Sequence, residues 1–174
     1  SYFFNGGESI SIGNLNNNSN WTLSFWHKST VAPNNLKYLF GFGIQDGFGI
    51  SGINPPLGVS ANRHFLFDGF SASTNVVETT SQLTTNQWYS ITVVNSNLSY
   101  SIYVDGILNV TSTNLQQIGF SNFNIGRRND VPYFYNGDID DIGIWDRALS
   151  ETEIQQLYAS CTTPIFLDAI LDQN

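Results

Sequence analysis

The stretch Ser99-Tyr-Ser-Ile-Tyr-Val104-Asp105-Gly106-Ile107-Leu-Asn-Val110 places two apolar segments on either side of an Asp-Gly pair. Both central positions of a type I′ turn need a positive φ, and Asp-Gly meets that demand at little cost, so the stretch predicts a two-residue antiparallel hairpin. The same rhythm extends outward from it. In Trp21-Thr-Leu-Ser-Phe-Trp-His-Lys28, residues Trp21, Leu23 and Phe25 fall on one face and Thr22, Ser24 and Trp26 on the other. One face is then core. Period-two alternation recurs every 8 to 12 residues, with Gly, Asn or Asp between segments. It predicts strands over 9–12, 21–28, 37–44, 47–51, 64–67, 88–95, 99–105, 107–111, 123–125 and 138–145. Residues 13–20, 29–36 and 52–63 are dense in Asn, Ser, Pro and Gly and read as surface loops. Ten short strands imply two packed sheets.

One helix follows the strands. Ser150 with Glu153 three residues later forms a capping box, and Leu149 with Ile154 occupies the staple positions. Ile154, Leu157 and Tyr158 form one apolar stripe, which predicts a short helix lying on the edge of the sandwich. The domain is read as residues 1–160, with 161–174 as a last strand or a connector to a further domain of a longer parent chain.

Composition bounds the function. The 174 residues carry 6 Lys+Arg against 14 Asp+Glu, a net charge of −8, which rules out a basic nucleic-acid surface. Hydrophobic residues make up 41 % and charged residues only 11 %, so the chain buries a core and keeps its surface wet through 21 Asn and many hydroxyls. No apolar run approaches the roughly 20 residues that span a bilayer, so membrane insertion is not expected. Cys161 is the only cysteine, which excludes an internal disulfide and any Cys-rich metal cluster.

Gln87-Trp-Tyr-Ser-Ile-Thr-Val-Val94, Ile102-Tyr-Val-Asp-Gly-Ile-Leu108, Phe123-Asn-Ile-Gly-Arg127 and Tyr135-Asn-Gly-Asp-Ile-Asp-Asp-Ile-Gly-Ile-Trp-Asp-Arg-Ala-Leu-Ser-Glu-Thr-Glu-Ile154 follow one another at domain spacing. Together they resemble the LamG-like jelly-roll family of the concanavalin A-like lectin/glucanase superfamily. The resemblance spans roughly residues 1–158 and is looser before Trp88, where only Tyr2-Phe-Phe-Asn-Gly-Gly and Trp21-Thr-Leu-Ser-Phe-Trp correspond. It implies an all-β, two-sheet antiparallel jelly-roll sandwich and attachment to secreted bacterial glycoside hydrolases, lyases or adhesins. It also implies a structural calcium between the opening segment and the final strand, which here falls on Asn5 or Gly6 and on Asp140. Asn5 stands where the family often has an acidic residue, which lowers the ligand charge. Asp140 shares a face with Asp138, Ile142 and Ile144 by alternation. If that face is core, its carboxylate needs a cation or several N–H donors. The alternative is hydrogen bonding to the opening strand alone.

The domain itself is not expected to be an enzyme. Enzymes of the superfamily carry Glu-x-Asp-x-x-Glu, or the same with one extra residue, and the glutamates at 8, 78, 151 and 153 do not have that spacing. A retaining glycosidase needs two carboxyls about 5 to 5.5 Å apart, for which Asp138 and Asp140 are the one candidate pair. His27 and His64 are the only histidines and read as strand residues, His27 as an exposed neighbour of Trp26 and His64 as a strand opener. For sugar recognition the best segment is Arg127-Arg-Asn-Asp-Val-Pro-Tyr-Phe-Tyr135, which combines rings for stacking with guanidinium, amide and carboxylate groups for hydroxyls. Arg127, Arg128, Asp130, Tyr133 and Tyr135, joined by Trp26 and His64, are the expected ligand-binding residues. Trp88 and Trp145 are expected in the core. The function expected is a noncatalytic, extracellular or cell-surface module that binds a polysaccharide or glycan, preferably neutral because of the net negative charge. A protein-contact or spacer module is the alternative, and a glycoside hydrolase or lyase the third reading.

Overall fold

The computed structural model describes residues 1–15, 19–30, 36–42, 46–51, 60–67, 76–113, 115–130 and 133–162. The expected loop segment 52–59 and the tail 163–174 lie outside the described residues. In chain order the elements are β1 (Tyr2–Asn5), β2 (Ile10–Gly13), β3 (Asn20–Ser29), β4 (Lys37–Phe42), β5 (Asp46–Ile50), β6 (His64–Phe67) and β7 (Val76–Glu78). They continue as β8 (Tyr89–Ser96), β9 (Ser99–Val104), β10 (Ile107–Ser112), β11 (Phe123–Ile125), β12 (Asn136–Trp145) and α1 (Glu151–Thr162). Two six-stranded antiparallel sheets result. The first has the order β1-β12-β3-β8-β9-β10 and the second β2-β11-β4-β5-β6-β7.

The hairpin that opened the sequence reading is present. Asp105 and Gly106 have φ of 52° and 76°, and Ile107 pairs with Val104. Asp105 Oδ1 also accepts the Ser90 N–H at 2.9 Å, which ties the turn to β8. A second two-residue turn, Asn97-Leu98, joins β8 to β9 with φ of 50° and 66°. Leu98 pays a steric cost there that Gly would not, and the Asn95 side chain offsets it by accepting the Leu98 N–H at 3.0 Å. β1 and β7 are strands beyond the ten expected from alternation. Both are short and gain their order from the neighbours they pair with, β12 and β6.

The inner faces meet in one aromatic-rich core. Trp21, Leu23 and Phe25 from β3, with Ile91, Val93 and Ile102, face Phe40, Phe42, Phe48, Leu66 and Phe123 from the second sheet. Their parity is as the alternation predicts. Trp21 sits centrally, its ring 4.8 Å from Phe120 and 6.0 Å from Tyr100, and its indole N–H donates to the Ile118 carbonyl at 3.1 Å.

Two side-chain placements differ from the sequence expectation. A bulge centred on Asp141 (φ 48°) shifts the register from Asp140↔Trp26 to Gly143↔Ser24, so the alternation reverses beyond it. Asp140 lies on the outer face beside Trp26 and is half-exposed, not buried in the core. Ile142 and Ile144 remain 40 % and 39 % exposed because β1 covers β12 only as far as Ile139. Second, α1 lies on the outer face of the first sheet rather than at its edge. Leu149 and Ile154 are buried against Val94 and Tyr103, and Tyr158 stacks on Trp26 at 5.7 Å. The helix also runs past residue 160, to Thr162.

The capping box forms as expected. Glu153 Oε2 accepts the Ser150 N–H at 2.8 Å, and Ser150 Oγ accepts the Glu153 N–H at 3.4 Å. Ser150→Ala is expected to cost about 1 kcal/mol, read as a lower urea midpoint at unchanged slope.

Candidate functional site

Residues 127–130 and 133–135 fold back onto the second sheet instead of standing open. The Arg128 guanidinium lies 4.9 Å over the Tyr38 ring, donates to Tyr38 Oη at 3.0 Å, and forks onto Asp130 at 2.6 and 3.1 Å. Burial pushes the Tyr38 hydroxyl up to about 12, against the opposing pull of Arg128. Tyr135 is wholly buried and its hydroxyl meets His27 Nδ1 at 3.1 Å. Tyr133 is half-buried against Leu36, Tyr38 and Phe65. The Arg127 guanidinium lies 6.0 Å over the Phe134 ring, and its buried Nε has no partner. Of the residues expected to contact a ligand, Arg128 and Tyr135 are therefore withdrawn from solvent, while Arg127, Asp130 and Tyr133 keep some exposure.

His64 is also withdrawn, and His27 is not exposed. His27 from β3 and His64 from β6 meet across the two sheets, Nε2 to Nε2 at 2.7 Å, and both are fully buried. Burial holds both imidazoles below their ordinary range, with His64 at about 3. One tautomer pair suits the surroundings best. If His64 Nε2–H donates to His27 Nε2, His27 Nδ1–H donates to Tyr135 Oη, and Tyr135 O–H reaches the Asp138 carbonyl at 3.4 Å. His64 Nδ1, which lacks a partner, is then an unprotonated acceptor, a cheaper orphan than a buried N–H.

The residues expected to hold calcium do not converge. Asn5 pairs with Asn136, and Asp140 lies four residues further along β12, about 13 Å away by strand geometry. Asn5 is spent locally, accepting the Gly7 N–H at 3.0 Å and donating to Glu8 at 3.1 Å. Asp140 instead meets the Ser1 amino group at 3.0 Å. Among the described residues no group of three or more His, Cys, Asp or Glu side chains could hold a metal. The structure thus does not bring Asn5 and Gly6 together with Asp140.

The outer face of the first sheet carries a hollow with two indoles in its wall. Trp26, Trp88, Asp140, Asp141 and Cys161 line a hollow of about 260 Å³ between β3, β12 and the last turn of α1. Trp26 and Trp88 are both half-buried there, so Trp88 is not the core residue its strand suggested. Lys28 sits 5.0 Å over the Trp88 ring and binds Asp138 at 2.9 Å, which fixes the edge of the hollow and occupies one carboxylate of the Asp138/Asp140 pair. The bulge does the positioning: it brings Asp140 and Asp141 together on one rim. Trp26 was legible from alternation. Trp88 and Asp141 were not, since their exposure depends on where α1 stops.

A two-layer jelly roll with this order and a helix on one face defines a lectin-like sandwich. The chain belongs to the family described as the concanavalin A-like lectin/glucanases superfamily, whose Laminin_G_3 model matches residues 4–155. Among solved structures it is similar to domain 4 of AbnA, a GH43 extracellular arabinanase from Geobacillus stearothermophilus, in complex with arabinotriose. That match has 21 % identity and a TM-score of 0.70, covering 90 % of this chain and 75 % of that one. It is also similar to the native heptameric SAP-like pentraxin from Limulus polyphemus, at 17 % identity and a TM-score of 0.66, covering 86 % and 74 %. The binding domain of Paraclostridial Mosquitocidal Protein 1 matches at 19 % identity and 0.66, covering 90 % of this chain and 42 % of that one. These likenesses establish the fold. A comparison with curated protein sequences gives no match. No helix among the described residues is long and apolar enough to cross a membrane.

Proposed function

We infer that this domain is a noncatalytic carbohydrate-binding module of an extracellular or cell-surface protein, and that it binds a neutral glycan in the hollow between Trp26 and Trp88. The observation that carries the reading is the pairing of two half-exposed indoles with two carboxylates, Asp140 and Asp141, in one hollow. The indole surface that Tyr158 leaves open on Trp26 and Lys28 leaves open on Trp88 can meet the apolar face of a sugar ring, and carboxylates accept from its hydroxyls. The similarity to an arabinanase domain in complex with arabinotriose supports this class of ligand. Among the described residues that line the hollow none is basic, Lys28 at its edge is already paired with Asp138, and the chain carries a net charge of −8, so sulfated or uronate-rich chains would be repelled. Catalysis is not part of the reading: the Lys28 ion pair holds the Asp138 carboxylate, and neither histidine reaches solvent.

The test is affinity electrophoresis against a panel of neutral polysaccharides, run with calcium and with chelator. Retention on at least one is expected, lost by tenfold or more in Trp88→Ala, and unchanged in Arg127→Ala. Retention should persist in chelator, because the contacts proposed use side chains alone. A folded protein that binds no glycan in the panel would move the reading to a protein-contact or spacer module.

A further inference from the structure

A second hollow, of about 360 Å³, lies along the same helix and is lined by Trp145, Arg147, Glu153, Gln156, Leu157 and Ser160 among others. Ser160 lines this hollow and Cys161, the next residue of α1, lines the first, and each hollow has a residue of β12 in its wall. Trp145, expected in the core, lies instead half-buried on the outer face because of the bulge, where one side packs against the cluster of Val94, Tyr103, Leu149 and Ile154 beneath α1. Its indole lies down over Gly143: a Cβ there would come within 2.8 Å of Cζ3 and closer still to Cη2. Gly143 has no positive φ, so glycine at this position is explained by the ring and not by the backbone. Beside the ring, Arg147 and Glu153 form an exposed fork with contacts of 3.0 and 2.6 Å, and Gln156 is exposed on the helix. Trp145 pairs with Thr22, four residues along β3 from Trp26, a separation of about 13 Å along the strand.

We propose that the seam between β12 and α1 is one extended cleft that binds an oligosaccharide lengthwise, with Trp26 and Trp88 holding one end and Trp145 the other. This rests on the carbohydrate-binding reading and adds a second subsite and a chain-length preference to it. An indole at each end with polar groups beside each ring is the arrangement that a linear chain of several sugar rings requires. A monosaccharide would use only one end. The Arg147–Glu153 fork offers a donor and an acceptor side by side, as vicinal hydroxyls need.

The test follows the four indole N–H signals by ¹⁵N NMR while arabino-, xylo-, cello- and manno-oligosaccharides of two to six residues are titrated in. Trp21 is the internal control, since its N–H is buried on the Ile118 carbonyl. Expected are shifts of Trp26 and Trp88 with a disaccharide, an added shift of Trp145 with the hexasaccharide of the same series, and affinity at least tenfold tighter for the hexasaccharide. Gly143→Ala, which tips the Trp145 ring, should cancel that tenfold gain and leave the disaccharide affinity unchanged. The surface variant Gln156→Ala should lower hexasaccharide affinity without touching the fold. Shifts confined to Trp26 and Trp88, with no gain from chain length, would overturn the extended cleft and leave the binding reading standing. Trp145 shifting alone would overturn the continuity of the cleft. No indole shift with any oligosaccharide would overturn both.

Discussion

Lowering the pH from 7 to 5 is expected to cost this domain about 2 kcal/mol of stability through His64, with a further loss through His27. Both imidazoles are fully buried, and burial lowers their folded-state values, His64 to about 3. The unfolded chain binds protons on both below about 6.5, where the folded chain does not. Stability is therefore complete above 6.5 and is lost as the pH falls from there, with a slope approaching about 1.4 kcal/mol per pH unit from His64 down to about 3 and a contribution of the same sign from His27. That is a large part of a total of about 5 to 15 kcal/mol. Urea unfolding at pH 7.5, 6.5, 5.5 and 5.0 measures it. His64→Phe, which keeps a ring beside Phe48 and Tyr89, should roughly halve the slope. A stability independent of pH across this range would mean the pair is hydrated or apart in solution.

Trp21→Ala is expected to lose about 3 to 5 kcal/mol and to leave the domain near its unfolding threshold at 37 °C. The indole is 1 % exposed, packs edge-on against Phe120 and Tyr100, and bonds the Ile118 carbonyl. Truncation removes the packing, opens a cavity and orphans a buried acceptor. Trp21→Phe keeps most of the volume and should cost about half as much, mainly through the unpaired carbonyl. The comparison is made by urea denaturation at pH 7.5, where the histidines contribute fully. Equal losses in both variants would show that the hydrogen bond, and not the packing, dominates. A loss below 1 kcal/mol in Trp21→Ala would contradict the central position assigned to this ring.

The candidate hollow was partly legible. Trp26 stands out because its parity opposes Trp21, Leu23 and Phe25, and the structure places it on the outer face. The segment 127–135 drew attention for its composition, yet composition does not say whether Arg128 turns to solvent or onto Tyr38. The ring of Tyr38 and the carboxylate of Asp130 decide that, and one of them is ninety residues away in sequence. His27 carried a readable signal: the alternation that puts Phe25 in the core carries His27 there two residues later. Its partner was not readable, because β3 and β6 belong to different sheets and no local pattern records which residues face each other across the core.

The sequence alone determined what depends on neighbours within a few residues. Alternation assigned the strands and the core parity of β3, Asp105-Gly106 made its turn, and Ser150 with Glu153 started α1, since each is a local preference of backbone and side chain. Tertiary structure decided what depends on surfaces meeting. It set the bulge at Asp141 that turns Trp145 outward, the docking of α1 over Trp26, and the withdrawal of Tyr135 into contact with His27. Each of these follows from burying apolar area and satisfying buried polar groups between distant segments, a balance that no short window of sequence contains.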